Sequence, residues 1–197
     1  MKPLLLIIEG AQGVGKSTLT TQLRERMTST NLMRLSGMKQ KNEEAEWLSY
    51  RYHAAVLEMM IETHTTGLNW VLDRSFLSDK VYANLGFKDY TFETPYDLLC
   101  HKLTRLSHRF EVYLVILTTD EETFKVRLNR QKATYQAFDV QSSLNQQEQY
   151  LALANSISQQ VNTFIIDTTN GDSYEKLMSA LKEKGVLEWL MKKWNNN

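Results

Sequence analysis

The residues of this chain whose types and spacing suit chemistry lie together near its amino end. Residues 10–17 read Gly-Ala-Gln-Gly-Val-Gly-Lys-Ser, the pattern G-x-x-x-x-G-K-S. The glycines let backbone N–H groups turn toward phosphate oxygens, the lysine reaches the β- and γ-phosphates of a triphosphate, and the serine hydroxyl binds Mg²⁺. The residues predicted to hold a nucleoside triphosphate such as ATP and its Mg²⁺ ion are Gly10, Gly13, Val14, Gly15, Lys16, Ser17 and Thr18.

The segments on either side of this loop agree with that prediction. An apolar run at 4–8 precedes the loop, as expected for a buried strand, and a helical pattern over 16–28 follows it. The N-terminus of that helix would add a field that favours bound anions. A glycine-rich turn without a ligand is the alternative, and it leaves the agreement of strand, loop and helix unexplained.

The rest of the chain alternates between strand-like and helix-like segments. Short apolar runs predict strands at 31–35, 70–72, 112–117 and 164–166. Helical patterns occupy 43–65, 75–84, 96–108, 119–130, 142–160 and 173–194, and residues 85–95 suit a loop. This alternation predicts an α/β fold of the P-loop NTPase type, in which a five-stranded parallel sheet carries helices on both faces. No linker composition interrupts the sequence, so we expect a single domain over 1–197.

Polar side chains at the carboxyl ends of the predicted strands form a second group of candidates, because ligands of parallel sheets bind at that edge. Asp73 is expected to hold the metal through water, and Arg74 to grip the oxyanion of an acceptor with two parallel hydrogen bonds. The alternatives are that Asp73 or Ser75 caps the next helix and that Arg74 pairs with a surface acid. Glu9 ends the first strand beside them.

Two arginines precede a polar, irregular stretch and suggest a lid segment around 127–141. Arg127 and Arg130 lie three residues apart on a predicted helix, so both could close over the γ-phosphate and exclude water. Because Glu121 and Glu122 are on the same helix, ordinary surface ion pairs are the alternative for Arg127.

Composition limits the partners and the compartment. Lys+Arg and Asp+Glu both number 23, so the formal net charge is zero. A basic excess is absent, which argues against nucleic acid as the main partner. No apolar run of the sequence approaches membrane-spanning length, so no membrane partner is expected. The single cysteine, Cys100, fits a reducing compartment, and we expect a cytoplasmic protein.

Several stretches resemble known nucleotide enzymes. Residues 8–18 resemble the loop of thymidylate kinases and of the related deoxynucleoside kinases, with Glu-Gly before the glycines and Gly-Lys-Ser-Thr at the end. Residues 73–82 resemble the Asp-Arg-Tyr…Ser…Ala-Tyr segment of the first group and the Glu-Arg-Ser segment of the second. Residues 127–132 resemble the lid arginines of both groups.

The resemblance implies further roles. In deoxynucleoside kinases the glutamate that matches Glu9 would accept the proton of a 5′-hydroxyl, whereas in thymidylate kinases an acid there would position sugar or metal. A helix at 43–65 would contribute Trp47, Tyr50 and Arg51 to a base pocket, although aromatic residues at helical spacing are also typical of a core. Because related enzymes are often dimers, a homodimer is one expected partner arrangement.

Three functions follow from these observations. The leading prediction is ATP- and Mg²⁺-dependent phosphoryl transfer to a nucleoside monophosphate, with dTMP as the favoured acceptor. The second is a deoxynucleoside kinase that phosphorylates a nucleoside 5′-hydroxyl. The third is a nucleotide-binding module without turnover. The sequence has Ser75 where thymidylate kinases carry tyrosine, and Asp73 where deoxynucleoside kinases carry glutamate, so it lies between the two kinase groups.

Overall fold

One parallel sheet organises the described part of the chain. The computed structural model describes residues 2–37, 41–130 and 138–186, apart from the side chain of Arg130. Within these ranges the strands are β1 (Leu4–Glu9), β2 (Thr30–Arg34), β3 (Asn69–Asp73), β4 (Glu111–Thr118) and β5 (Asn162–Asp167). Their order across the sheet is β2-β3-β1-β4-β5, and every pairing is parallel. This arrangement confirms the predicted fold class.

Seven α-helices connect the strands within the described residues. They are α1 (Lys16–Arg26), α2 (Glu43–Thr63), α3 (Phe76–Asn84), α4 (Glu93–Ser107), α5 (Glu121–Arg130), α6 (Val140–Ile157) and α7 (Ser173–Glu183), with a short 3₁₀ turn at His64–Thr66. None of the described helices is both long enough and apolar enough to span a membrane.

Two of the helix boundaries that differ from the predicted ones have a clear physical cause. The predicted loop over 85–95 is too long, because α4 begins at Glu93 and takes Pro95 into its first turn, where a missing N–H costs no hydrogen bond. The predicted helix over 173–194 is too long as well, because α7 ends at Glu183 and Gly185 follows with a φ of 75°. Residues 187–194 lie outside the described residues.

The sheet separates two hydrophobic clusters, so both of its faces are covered. All six residues of β1 are buried, as expected for a central parallel strand. Leu5 and Ile7 point into a cluster that includes residues of α2, α3, α4 and α6, whereas Leu4, Leu6 and Ile8 point into one with residues of α1, α5 and α7. Each such side chain stabilises the fold by about 1.5–3 kcal/mol.

The strand register brings polar residues together at one edge of the sheet. Ile8 pairs with Asp73, and Arg34 pairs with the same aspartate from the other side. The loop that follows β1 therefore begins beside the carboxyl end of β3, and Glu9, Arg34 and Asp73 lie at the same edge of the sheet.

Candidate active site

The loop between β1 and α1 has the backbone that its glycines predict. Gly10 has a φ of 142°, and a Cβ at this position would come within 2.7 Å of the carbonyl oxygen of Leu117 on β4. Gly15 has a φ of 103° and immediately precedes the first residue of α1. A side chain at either position would be strained, so the loop can follow this path only with glycine.

Lys16 is folded back onto its own loop. Its Nζ atom donates hydrogen bonds of 2.7 Å to the carbonyl oxygens of Gly10 and Ala11, and the residue is 7% exposed. Burial lowers the pKa of Lys16 to about 7, and the nearby Arg74 acts in the same direction, while Glu9 and Asp73 oppose it. To contact a triphosphate, this amine would exchange the two carbonyls for phosphate oxygens.

Asp73 and Ser17 lie together at the start of α1. The Ser17 hydroxyl donates to Asp73 Oδ2 at 3.3 Å, the Thr20 hydroxyl lies 3.4 Å from the same oxygen, and Arg34 Nε lies 3.7 Å from it. All three distances are long, so the carboxylate is loosely held. A hydroxyl and a carboxylate are the oxygen ligands that Mg²⁺ prefers, and these two residues fit the predicted metal site.

Acidic and metal-ligating side chains are otherwise sparse near this point. Among the described residues, no group of three or more His, Cys, Asp or Glu side chains could hold a metal ion. A Mg²⁺ ion at Ser17 and Asp73 would therefore take its other ligands from phosphate oxygens and water, as this ion commonly does in phosphoryl-transfer sites.

Glu9 is fixed by short hydrogen bonds. Its Oε1 accepts from the Ser75 N–H at 2.6 Å and from the Ser75 hydroxyl at 2.7 Å, and its Oε2 accepts from the Ser78 hydroxyl at 2.8 Å. The side chain is fully buried. Burial raises the pKa of Glu9, although the hydrogen bonds from Ser75 and the positive charge of Arg74 oppose the shift. Glu9 therefore joins β1 to the start of α3, and both of its oxygens are engaged.

Arg74 follows Asp73 in a conformation that is rare for a residue with a Cβ. Its φ is 76°, and its N–H donates to the carbonyl oxygen of Ile8 at 3.0 Å. Its guanidinium donates through Nη1 to Tyr82 and Ser78 of α3. Ser75, and not Asp73, caps α3, because its hydroxyl accepts from the Leu77 N–H. Arg74 thus points across the sheet edge instead of pairing with a surface acid.

These residues surround a cavity of about 330 Å³. It is lined by Gln12, Gly13, Gly15, Lys16, Ser17, Thr18, Arg34, Leu35, Asp73 and Arg74. Among these lining residues, Asp73 is the one acidic side chain against three basic ones. The cavity therefore suits a ligand with several negative charges.

A second cavity, of about 260 Å³, lies on the β5 side of the same loop. It is lined by Gly13, Val14, Gly15, Thr18, Arg127, Thr168, Gly171 and Ser173. Arg127 donates from Nη1 to the carbonyl oxygen of Val14 at 3.1 Å and to the Thr168 hydroxyl at 2.8 Å. The structure thus places Arg127 beside the outer wall of the phosphate loop. Arg130 is the last residue of α5, but its side chain and residues 131–137 of the predicted lid lie outside the described residues.

The predicted base-binding residues of α2 are not brought to these cavities. Trp47 is 45% exposed and lines a separate cavity with four acidic residues, and Arg51 is exposed. Tyr50 packs against the core. The cause is the helix face: Ala45, Ser49 and His53 point inward, which leaves residues 47 and 51 on the outer side.

The inward face of α2 reveals a buried carboxylate that the sequence analysis missed. Asp79 of α3 is 1% exposed, and its Oδ2 accepts from the Ser49 hydroxyl at 2.7 Å and lies 2.9 Å from His53 Nε2. Its Oδ1 is buried, has no hydrogen-bond partner among the described residues and lies against Gly37. Ser49 and His53 are one helical turn apart, and this spacing could have predicted that a polar face of α2 points inward.

The comparisons with known proteins agree on the fold. The chain matches no protein-family model and no curated protein sequence. Among solved structures it is similar to thymidylate kinase from Candida albicans, with a TM-score of 0.63 and 16% identity over 94% of this chain and 93% of that one. It is also similar to deoxyadenosine kinase from M. mycoides with bound dCTP, with a TM-score of 0.56 and 16% identity over 91% and 100% of the two chains.

A third similar structure is polyphosphate kinase 2 from Arthrobacter aurescens TC1. Its TM-score is 0.62 with 16% identity, and the match covers 89% of this chain and 64% of that one. The chain therefore has the fold of the P-loop kinases. At these identities the likeness concerns the fold, and the acceptor has to be argued from the site.

Proposed function

We propose that this protein transfers the γ-phosphoryl group of ATP to a nucleoside monophosphate, with dTMP as the favoured acceptor. The observation that carries the proposal is the charge of the 330 Å³ cavity: Arg34 and Arg74 line it together with Lys16, and Asp73 is the one acidic residue among its described lining residues. Two arginines in the cavity beside the phosphate loop suit an acceptor that is itself a phosphate.

The donor would occupy the loop and both cavities. The loop N–H groups and Lys16 would hold the β- and γ-phosphates, and the second cavity beside Arg127 and Thr168 would take the nucleoside part. Arg127 already hydrogen-bonds the loop at Val14, so it is well placed to stiffen the wall between the two cavities.

Ser17 and Asp73 would hold the Mg²⁺ ion, Asp73 through water as the sequence predicts. When bound, this ion would neutralise charge on the donor phosphates and orient them. Positive charge would then lie on both sides of the transferred phosphoryl group. Lys16 would supply it from the loop, and Arg34 and Arg74 would supply it beside the acceptor. Phosphoryl transfer depends mainly on such positioning and charge neutralisation.

The state of Glu9 supports a monophosphate over a nucleoside acceptor. A nucleoside 5′-hydroxyl must lose a proton during the reaction, which favours a free carboxylate close by. Both oxygens of Glu9 instead accept short hydrogen bonds from Ser75 and Ser78. A monophosphate oxyanion needs no strong base, so the arginines alone can serve it.

The resemblance of residues 73–82 to thymidylate kinases favours dTMP among the monophosphates. A transfer assay tests this directly. The purified protein is incubated with Mg²⁺, γ-labelled ATP and a panel of nucleoside monophosphates and their matching nucleosides. We expect label in a nucleoside diphosphate, most of all dTDP.

Two variants make the panel decisive. Lys16→Ala is expected to lose transfer, while Lys125→Ala, which removes an exposed lysine paired with Glu121 and Glu122 on α5, is expected to keep it. If the label appears only in monophosphates that are formed from the added nucleosides, the result would favour a deoxynucleoside kinase and overturn the proposal. ATP binding without transfer to any acceptor would favour a binding module.

A further inference from the structure

The guanidinium of Arg74 is held along one side by two hydroxyl groups of α3. Its Nη1 donates to Tyr82 OH at 2.8 Å and to Ser78 Oγ at 3.3 Å. Ser78 and Tyr82 follow Arg74 by four and eight residues, so they share a helix face. Within the described residues, Nη1 is the donor in both hydrogen bonds of this guanidinium. The edge formed by Nε and Nη2 is left for another acceptor, and such an edge can donate two parallel bonds to a phosphate.

Tyr82 is itself fixed by two other aromatic rings, which we call the aromatic trio of Tyr82, Phe87 and Phe138. The Tyr82 ring stacks on Phe138 with a centroid distance of 5.9 Å and meets Phe87 edge-on at 6.2 Å. Phe87 and Phe138 lie 4.9 Å apart. Phe138 immediately precedes Asp139, whose side chain caps α6. The trio therefore joins the loop after α3 to the entry of α6.

We propose that Tyr82 is a positioning residue for the acceptor: its hydroxyl fixes the rotation of the Arg74 guanidinium, so that the Nε–Nη2 edge faces the acceptor phosphate in the cavity. Phe87 and Phe138 fix Tyr82 in turn. This inference rests on the proposed function, because it concerns how Arg74 binds a monophosphate.

The chemistry of the hydroxyl supports this role. Burial raises the pKa of Tyr82, although the charge of Arg74 opposes the shift, so the hydroxyl stays neutral and accepts from the guanidinium through a lone pair. Ser78 is less informative, because its hydroxyl also contacts Glu9 and Tyr150. Tyr82 is the partner of Arg74 that a single-atom deletion can test.

The experiment is steady-state kinetics of Tyr82→Phe, which removes the hydroxyl and keeps the ring. With ATP saturating, we expect the KM for the monophosphate to rise about ten-fold, the effect of losing a hydrogen bond to a charged group. The KM for ATP is expected to stay within about two-fold, because the donor does not depend on Arg74 for its position. A rise in both KM values, or in neither, would overturn the inference.

Two further variants separate positioning from a general structural role. Tyr113→Phe is the matched control, because this buried tyrosine stacks on Phe164 in β5 and lines neither the 330 Å³ nor the 260 Å³ cavity. It should leave both KM values unchanged. In an Arg74→Lys background, Tyr82→Phe should have no additional effect on the acceptor KM, because Tyr82 acts only through Arg74. Additive effects of the two substitutions would contradict the inference.

The outcome remains decisive if Tyr82→Phe does not fold. Phe138→Leu keeps the hydroxyl but removes the stacked ring, and it should raise the acceptor KM about three-fold without changing the KM for ATP. An unchanged acceptor KM in that variant would then overturn the inference.

Failure of the proposed function would look different. If the wild type phosphorylates nucleosides alone, the monophosphate proposal fails by that result. The positioning inference needs an acceptor phosphate and then fails with it. In a protein that does phosphorylate monophosphates, an unchanged acceptor KM in Tyr82→Phe overturns the inference alone.

Discussion

Two carboxylates lie on neighbouring strands at the same edge of the sheet, yet they are held in opposite ways. Glu9, at the end of β1, accepts three hydrogen bonds of 2.6–2.8 Å and is fully buried. Asp73, at the end of β3, has neighbours at 3.3, 3.4 and 3.7 Å and faces the 330 Å³ cavity. Residue type and strand position alone would not separate them. From this difference in hydrogen bonding we propose that Glu9 stabilises the site and that Asp73 takes part in its chemistry.

The largest expected effect comes from Asp73. Asp73→Asn keeps the shape of the side chain but weakens its attraction for Mg²⁺, so we expect kcat for phosphoryl transfer to fall about 10³-fold. The free energy of unfolding should change by less than about 0.5 kcal/mol, because the contacts of Asp73 are long. Kinetics and urea denaturation measure the two quantities. A variant that keeps more than a tenth of the wild-type rate would contradict the assignment.

Glu9 should show the reverse balance. Glu9→Gln places an amide where Ser75 and Ser78 donate, and we expect the free energy of unfolding to fall by about 3 kcal/mol. Transfer to a monophosphate, measured per folded molecule, should fall far less than in Asp73→Asn. A stable variant without activity would show that Glu9 acts in the chemistry, as the deoxynucleoside kinase alternative requires.

The partners of the two carboxylates sharpen the comparison. Ser75→Ala removes the 2.7 Å bond to Glu9 and the cap of α3, so a loss of about 2 kcal/mol in the free energy of unfolding is expected. Thr20→Val removes a hydroxyl 3.4 Å from Asp73 and should cost about 0.5 kcal/mol. Thermal or urea denaturation of both variants gives the comparison. Equal losses would mean that the two carboxylates are held equally firmly.

The smallest expected effect is a pH dependence that arises from Glu9. Burial raises its pKa in the folded protein above the ordinary value of 4.5, so the folded state keeps this proton when the unfolded chain has lost it. The resulting stability is complete below pH 4.5 and decreases as the pH rises through the folded pKa.

Glu9→Gln removes this contribution, which makes the difference between variant and wild type the quantity to measure. The wild type's advantage in unfolding free energy should be largest at pH 4.5 and below, and it should become smaller at higher pH. Lys16, whose pKa is lowered, gives the opposite trend in both proteins, so the difference between them reports Glu9 together with its interaction with Lys16. An advantage that grows with pH would show that the pKa of Glu9 is lowered in the folded state.

The contrast between the two carboxylates also explains what the sequence could predict. The phosphate loop, the parallel sheet and the position of Asp73 depend on local patterns, namely the glycine spacing and the apolar runs, and the structure confirms the loop geometry and the sheet. The burial of Glu9 depends on Ser75 and Ser78, which lie 66 and 69 positions away. No local pattern reports such contacts.

The surroundings of Arg74 and the inward face of α2 were harder to predict for the same reason. The aromatic residues of α2 suggested a base pocket, but the rotation of the helix is set by what packs beneath it. Asp79 binds Ser49 and His53, which turns that face inward. The position of Tyr82 also depends on packing, because Phe87 and Phe138 reach it from other segments. The sequence therefore predicted the glycine loop well, and the structure was needed to describe the surroundings of Arg74 and α2.

One competition assay tests the central claim most directly. The protein is given Mg²⁺ and γ-labelled ATP with equal concentrations of dTMP and thymidine, and the labelled products are separated. Our account predicts label in dTDP, because Arg34 and Arg74 bind an acceptor phosphate and Glu9 is engaged in hydrogen bonds. Label in dTMP formed from thymidine, with no dTDP formed from the added dTMP, would contradict it.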